Sequence, residues 1–182
     1  MGLLSLIRRG RHERVGFELY GAAVAAAREP FLYTDLGVPD TLDGRFDMVG
    51  LHVFLLIQRL KTDPSPGPAL AQAVFDAMFS DMDVNLREMG VGDLSVGRKV
   101  RVMWEAFHGR AAAYAAAMNA GDMMALDAAL DRNVWRGDPP SGGSTEALRR
   151  VVLAQETRLA TQSLKALASG TVAFLSAEEA SR

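Results

Sequence analysis

The sequence predicts an all-α protein, a single compact multi-helix domain that carries a helical C-terminal extension. Three observations carry that reading. Hydrophobic residues make up 49% of the chain but aromatics only 7%, so the apolar content is mostly alanine and aliphatic, which favours helix over sheet. Apolar residues recur at spacings of three and four along most of the chain. Gly/Pro clusters at 64–68 and 137–143 punctuate these runs. At 182 residues, the chain is long enough to bury a core of its own.

Residues 1–12 form an apolar-then-basic segment in which Leu3, Leu4, Leu6 and Ile7 precede Arg8, Arg9 and Arg11. That order is the reverse of a secretory signal, and Leu6 stands where a myristoylation motif requires Ser or Thr. Laid on an anionic membrane surface, Leu3, Leu4 and Ile7 would insert while Arg8 and Arg9 sit near the headgroups. A mobile or locally docked terminus is the alternative. No apolar run approaches the roughly 20 residues that span a bilayer.

A helical domain follows over 13–135. Its first helix covers about Glu13 to Arg28, with Phe17, Tyr20, Val24 and Ala27 inward, and Pro30 helps to end it. The next loop carries Phe31, Leu32 and Tyr33, too much bulk for a solvated linker, so it packs against the domain. A second helix begins between Asp43 and Phe46 and reaches about Lys61; its apolar face, built on Phe46, Val49, Val53, Leu56 and Leu60, is so wide that it should be central. Ala69 to Met89 forms a third, closed by Gly90. Ser95 caps a helix toward Gly121 with Val96, Val100, Met103, Trp104, Phe107 and Ala111 inward, and Asp122 caps a shorter one to Val134. Residues 136–144 read as a Gly/Pro linker. Residues 145–182 read as the helical extension, interrupted at Gly170.

Composition and spacing remove most chemistries. With 20 basic and 22 acidic side chains the chain has no general field for phosphate backbones, so direct nucleic-acid recognition is not expected. Zero cysteines and three histidines argue against a dedicated metal site. Asp81, Asp83 and Asn85 begin like a calcium loop, but Leu86 and Gly92 occupy its glycine and glutamate positions. Glu105 and His108 make a single Glu-x-x-His where a di-iron bundle needs two. Ser95 lacks the setting of a nucleophile elbow. His52, in an apolar helix, reads as a core histidine satisfied by a carbonyl or carboxylate. No catalytic residues are expected.

What those motifs leave unexplained is a polar constellation: Asp40, Thr41, Asp43, Arg45 and Asp47 before one helix, with Arg87, Glu88 and Asp93 after another. Caps and buried ion pairs account for it, and so does the rim of a partner-binding groove. Both readings stand.

The stretches from Tyr33 to Asp47 (Tyr-Thr-Asp-Leu-Gly-Val-Pro-Asp-Thr-Leu-Asp-Gly-Arg-Phe-Asp) and from Phe79 to Asp93 resemble the ubiquinol-cytochrome c chaperone family. Phe107-His108-Gly109-Arg110 followed by Tyr114 is similar to the family's next block, where an aromatic often stands at the histidine position. The resemblance covers about Tyr20 to Val134, and the chain looks like a bacterial member without a targeting extension. It implies a non-enzymatic assembly chaperone that binds newly made cytochrome b and supports biogenesis of the cytochrome bc1 complex. It implies no nucleotide or metal cofactor, and a cytoplasmic location, peripheral at the inner face of the membrane. Mitochondrial relatives work with a small co-chaperone at the ribosome. The resemblance also implies that Tyr33, Asp40, Thr41, Arg45, Phe46, Asp47, Arg87, Glu88 and Asp93 help form the surface for cytochrome b or a co-chaperone. The nine methionines suit adaptable contacts, although Met78, Met82, Met89 and Met103 can equally fill core gaps. The competing class is a helical protein holding an apolar ligand such as a quinone or lipid, which would need an enclosed pocket in place of an open surface.

Overall fold

Helix α3 (Leu42–Lys61) is the apolar centre around which the chain folds, with twelve of its 20 residues buried, among them Met48, Leu51, Leu56 and Leu60. The reason is local: Thr41 caps it by accepting the Gly44 amide at 3.1 Å, Arg59 and Lys61 offset its C-terminal dipole, and the apolar residues between leave almost no polar face. The computed structural model describes residues 3–182, with side chains from Gly10 onward. Among the described residues all regular structure is helical. Helix α1 (Leu3–Ala27), α2 (Pro30–Thr34) and α3 are followed by α4 (Gly67–Glu88), α5 (Asp93–Ala120) and α6 (Met123–Val134). The chain ends with α7 (Ser144–Ala160) and two single-turn helices, α8 (Leu164–Leu167) and α9 (Ala177–Ala180).

Helices α1, α3 and α4 pack on one another and form the main core. Helices α1 and α4 come close at Gly16, where a Cβ would lie 2.6 Å from the Ala73 carbonyl oxygen of α4. Helices α5 and α6 form a second layer, and α7 closes the bundle against α3 and α6.

The structure differs from the sequence expectations in four places, each for a physical reason. The first helix begins at Leu3, well before Glu13. Pro30 does more than end it: at a first helical position its fixed φ is pre-set for helix, so it opens α2, which buries Leu32 completely. Ser95 lies inside the first turn of α5, because the helix starts at Asp93 after an extended Gly92. Phe17 and Trp104, expected inward, are 43% and 45% exposed; the inner stripe of α1 is Val15, Leu19, Tyr20 and Ala23, and α5 buries only Val96, Phe107, Tyr114 and Ala117.

Residues 171–176, without regular structure, link α8 and α9 and are held by two glutamine amides. Gln155 accepts from the Leu175 N–H at 2.9 Å and donates to its carbonyl at 2.8 Å; Gln162 does the same at Ala173, both at 2.8 Å. Glu29 accepts the Ala177 amide at 2.6 Å, and Arg150 donates to the Ser181 carbonyl at 2.5 Å. Arg59 of α3 ties in the end of α7 through the Leu159 and Gln162 carbonyls at 3.0 and 2.7 Å. Gln155 is 1% exposed, so Gln155→Ala strands two main-chain groups and is expected to cost about 2 kcal/mol in urea denaturation. Proteolytic cleavage within 168–176 should accelerate in parallel; an unchanged cleavage rate would show that the clamp does not hold this segment.

Candidate functional site

The start of α3, the end of α4 and the first half of α5 enclose an open groove of about 780 Å³, with Tyr20 and Arg28 from the region of α1 at one end. Each wall is a helical stripe at spacings of three and four. Leu42, Phe46 and Val49 come from α3, Met82 and Leu86 from α4 with Met89 at its C-cap, and Val102, Met103 and Ala106 from α5. The rim is unusually apolar: Leu42 is 68% exposed, Val102 59% and Met89 49%. A contiguous exposed apolar patch of this kind marks an interaction site more often than chance.

At the groove floor lies Asp47, buried on α3. Its carboxylate meets the guanidinium of Arg110 from α5 and, at 2.8 Å, that of Arg136 from the segment after α6. Neither contact has the alignment of a full hydrogen bond, so the pairing is mainly charge against charge. Burial pushes the Asp47 carboxyl up to about 6, against the opposing pull of Arg110 and Arg136. Arg136 reaches Asp47 from a left-handed backbone, φ 59°, a conformation that non-glycine residues seldom adopt. Arg110 also lies over the Phe46 ring, 5.5 Å from its centroid. At the far end, the buried Tyr20 hydroxyl donates to Asp81 at 2.7 Å, and burial with that carboxylate raises its pKa well above the ordinary value.

Of the residues singled out in the sequence at the entrance to α3, Asp43, Arg45, Phe46 and Asp47 line this groove. Thr41 caps α3 just outside it. Asp40 pairs with Arg45 at 2.6 Å on the exposed surface, and that hydrogen bond holds its carboxyl below the usual range. Tyr33 is half-buried and donates to the Ala27 carbonyl at 2.7 Å, which ties α2 to the end of α1. Arg87 is engaged by Asp83 at 2.6 Å and Asp93 at 2.5 Å, forming an exposed corner beside the groove together with Glu88. The second block therefore contributes Asp81, Met82, Asn85, Leu86 and Met89 to the lining, while Arg87, Glu88 and Asp93 lie outside it. The side chains of Leu3, Leu4, Ile7, Arg8 and Arg9 lie outside the described residues.

Sequence reasoning missed Arg28, Leu42, Arg98, Lys99, Val102 and Arg136. Only Leu42 left a signal, a large aliphatic residue directly after a capping threonine.

Among the described residues, no His, Ser or Cys side chain lines the groove. His52 is buried elsewhere on α3, with Nδ1 paired to the Met48 carbonyl at 2.9 Å and its ring edge-on to Phe174; burial lowers its pKa. His108 turns its Nδ1 to the Trp104 carbonyl and stacks 4.0 Å from that indole, while Glu105 pairs with Arg101. Among the described residues no group of three or more His, Asp or Glu side chains is placed to hold a metal ion, and no helix is long and apolar enough to cross a membrane.

Residues 34–174 match the family model for the ubiquinol-cytochrome C chaperone. The ubiquinol-cytochrome-c reductase complex assembly factor 1 of Xenopus laevis is 28% identical over 97 residues, 53% of this chain and 48% of that protein. The chain thus spans about half the length of this curated relative. The crystal structure of the Cbp3 homolog from Brucella abortus is similar over 98% of this chain and 99% of that one, with a TM-score of 0.83 and 36% sequence identity. With a family match over most of its length and the same arrangement of helices in a solved relative, the chain belongs to the ubiquinol-cytochrome c chaperone family.

Proposed function

We propose that this protein is a non-enzymatic assembly chaperone for the ubiquinol-cytochrome c reductase complex, and that its groove receives newly made cytochrome b. The observation that carries the reading is the open apolar rim of Leu42, Met89 and Val102 on a chain of this family. A chaperone must cover apolar client surface and later release it. An open groove with an apolar rim and cations beside it suits that task better than an enclosed cavity, because only part of the client surface is desolvated. Methionine walls adapt to more than one client side chain at little cost. The work takes place at the inner face of the membrane, where residues 1–12 supply a peripheral contact. A small co-chaperone meets the exposed Arg87, Glu88 and Asp93 corner, outside the client groove.

The test is recovery of cytochrome b from solubilised membranes by the tagged protein, quantified against other membrane proteins. The control is the double variant Leu42→Asp/Val102→Asp, whose replaced side chains are largely exposed and whose melting temperature should match wild type. Wild type should enrich cytochrome b, and the variant should lose that enrichment by about tenfold or more, as expected when a desolvated anchor is replaced by a charge. Equal recovery by both proteins would remove the groove from the mechanism. No enrichment by wild type, with quinone or phospholipid co-purifying, would move the assignment to an apolar-ligand carrier.

A further inference from the structure

We infer that the segment received by this groove is an apolar helix bearing acidic side chains along one edge. The inference rests on the client-groove reading above and concerns what the groove selects. Its lining holds six cations, Arg28, Arg45, Arg98, Lys99, Arg110 and Arg136, against three carboxylates, Asp43, Asp47 and Asp81. The whole chain has a net charge of -2, so positive charge is concentrated here against the average.

Internal pairing does not remove that excess. Asp47 is engaged by Arg110 and Arg136, and Arg45 by Asp40. Arg28, Arg98 and Lys99 have no carboxylate within salt-bridge distance among the described residues. Arg98 and Lys99 sit one turn before Val102 and Met103 on α5, so that wall runs from cationic to apolar within a few residues. Arg28 stands at the end of the groove formed by the region of α1.

The occupant that matches these walls is a helix. Each wall is a helical stripe, and a second helix laid between such stripes meets them ridge into groove. A lipid or quinone would leave most of its chain uncovered, because a small ligand needs a cavity that buries most of its surface, and this groove is open along its rim. Exposed cations act chiefly through long-range attraction and partner choice, so the selection should be visible as a salt-sensitive preference.

The experiment uses the full chain and three fluorescein-labelled synthetic helical peptides. They share Leu at i, i+3, i+4 and i+7 and differ only in carrying Glu, Gln or Lys along one edge. By fluorescence anisotropy at about 50 mM salt, the Glu peptide should bind roughly tenfold more tightly than the Lys peptide, with Gln between, and the gap should shrink at high salt. Arg98→Glu/Lys99→Glu, two exposed positions without internal partners, should reverse the order. Equal affinities for all three peptides, or an order unchanged in that variant, would overturn the inference. So would loss of phosphatidylglycerol-vesicle binding in the variant while the peptides remain indistinguishable, which would assign the cations to a lipid surface. The client-groove reading fails separately: in that case Leu42→Asp/Val102→Asp would leave binding of all three peptides intact.

Discussion

Replacing Gly16 with valine is expected to lower the unfolding free energy by about 3 kcal/mol, the upper range for overpacking a close-packed core. At this crossing a Cβ would sit 2.6 Å from the Ala73 oxygen, 2.7 Å from its carbonyl carbon and 2.8 Å from its Cβ. Two of those atoms belong to the α4 backbone and cannot rotate away, so α1 and α4 must separate. Separation loosens packing around Leu19, Leu70 and Val74, all buried in the same core. Gly21 on the same helix is the control, because a Cβ there meets nothing within 4 Å. Gly21→Ala should instead stabilise by about 0.5–1 kcal/mol through helix propensity. Urea denaturation of both variants decides the matter. A Gly16→Val protein as stable as wild type would mean that the two helices are free to move apart.

The second large effect concerns Asp47 and pH. Its carboxyl is raised from an ordinary 3.8 to about 6 by burial, which outweighs Arg110 and Arg136. Between about pH 4 and pH 6 the folded chain keeps a proton that the unfolded chain has released, so raising the pH through this window favours unfolding. The contribution is fully present below the unfolded pKa and is lost as pH passes 6. It amounts to about 3 kcal/mol, each pKa unit being worth about 1.4 kcal/mol. Asp47→Asn removes the titration, and the stability difference between wild type and variant should therefore slope across this window. Asp40 slopes the other way, since Arg45 lowers its pKa and its contribution is lost as pH falls. Because Asp40 is present in both proteins, it cancels in the difference. Asp47→Ala should cost about 2–4 kcal/mol at pH 7, because it leaves the largely buried Arg110 without its counter-charge. A flat wild-type-minus-Asn curve would show that the carboxyl is ionised throughout.

The parts of the fold that were legible in the sequence are those governed by neighbours along the chain. Asp122 declared its helix start and accepts the Ala125 amide three residues on, whereas the helix expected from between Asp43 and Phe46 starts at Leu42, after Thr41 caps it through the Gly44 amide. The width of the apolar face on α3 announced a buried helix, and Gly90 and Gly121 take the left-handed φ that helix ends require. What failed depended on distant partners. Trp104 and Phe17 have helical spacing, but no element covers them, and periodicity does not say which elements exist to be packed against. In the site, Arg45, Phe46 and Asp47 stood out as polar and aromatic residues at a helix entrance. Arg136 did not, because its role depends on a chain reversal that brings the segment after α6 back to α3. Arg98 and Lys99 look like any solvated pair until the opposite wall is in view.

The four-to-twelve contrast in buried residues between α5 and α3 makes the groove a clamp with one fixed jaw and one compliant jaw. The α3 jaw cannot shift without disturbing the main core, so it opens only at nearly the full cost of unfolding. Before Phe107, the first half of α5 is anchored by the buried Val96 and the partly buried Met103, so its displacement breaks fewer apolar contacts than a shift of α3 would. On the proposed client role, the width of the opening would be set by α5, and clients of different girth would be accommodated by that wall while Phe46 and Asp47 keep their positions. A binding surface built this way holds its register from one side and its tolerance from the other.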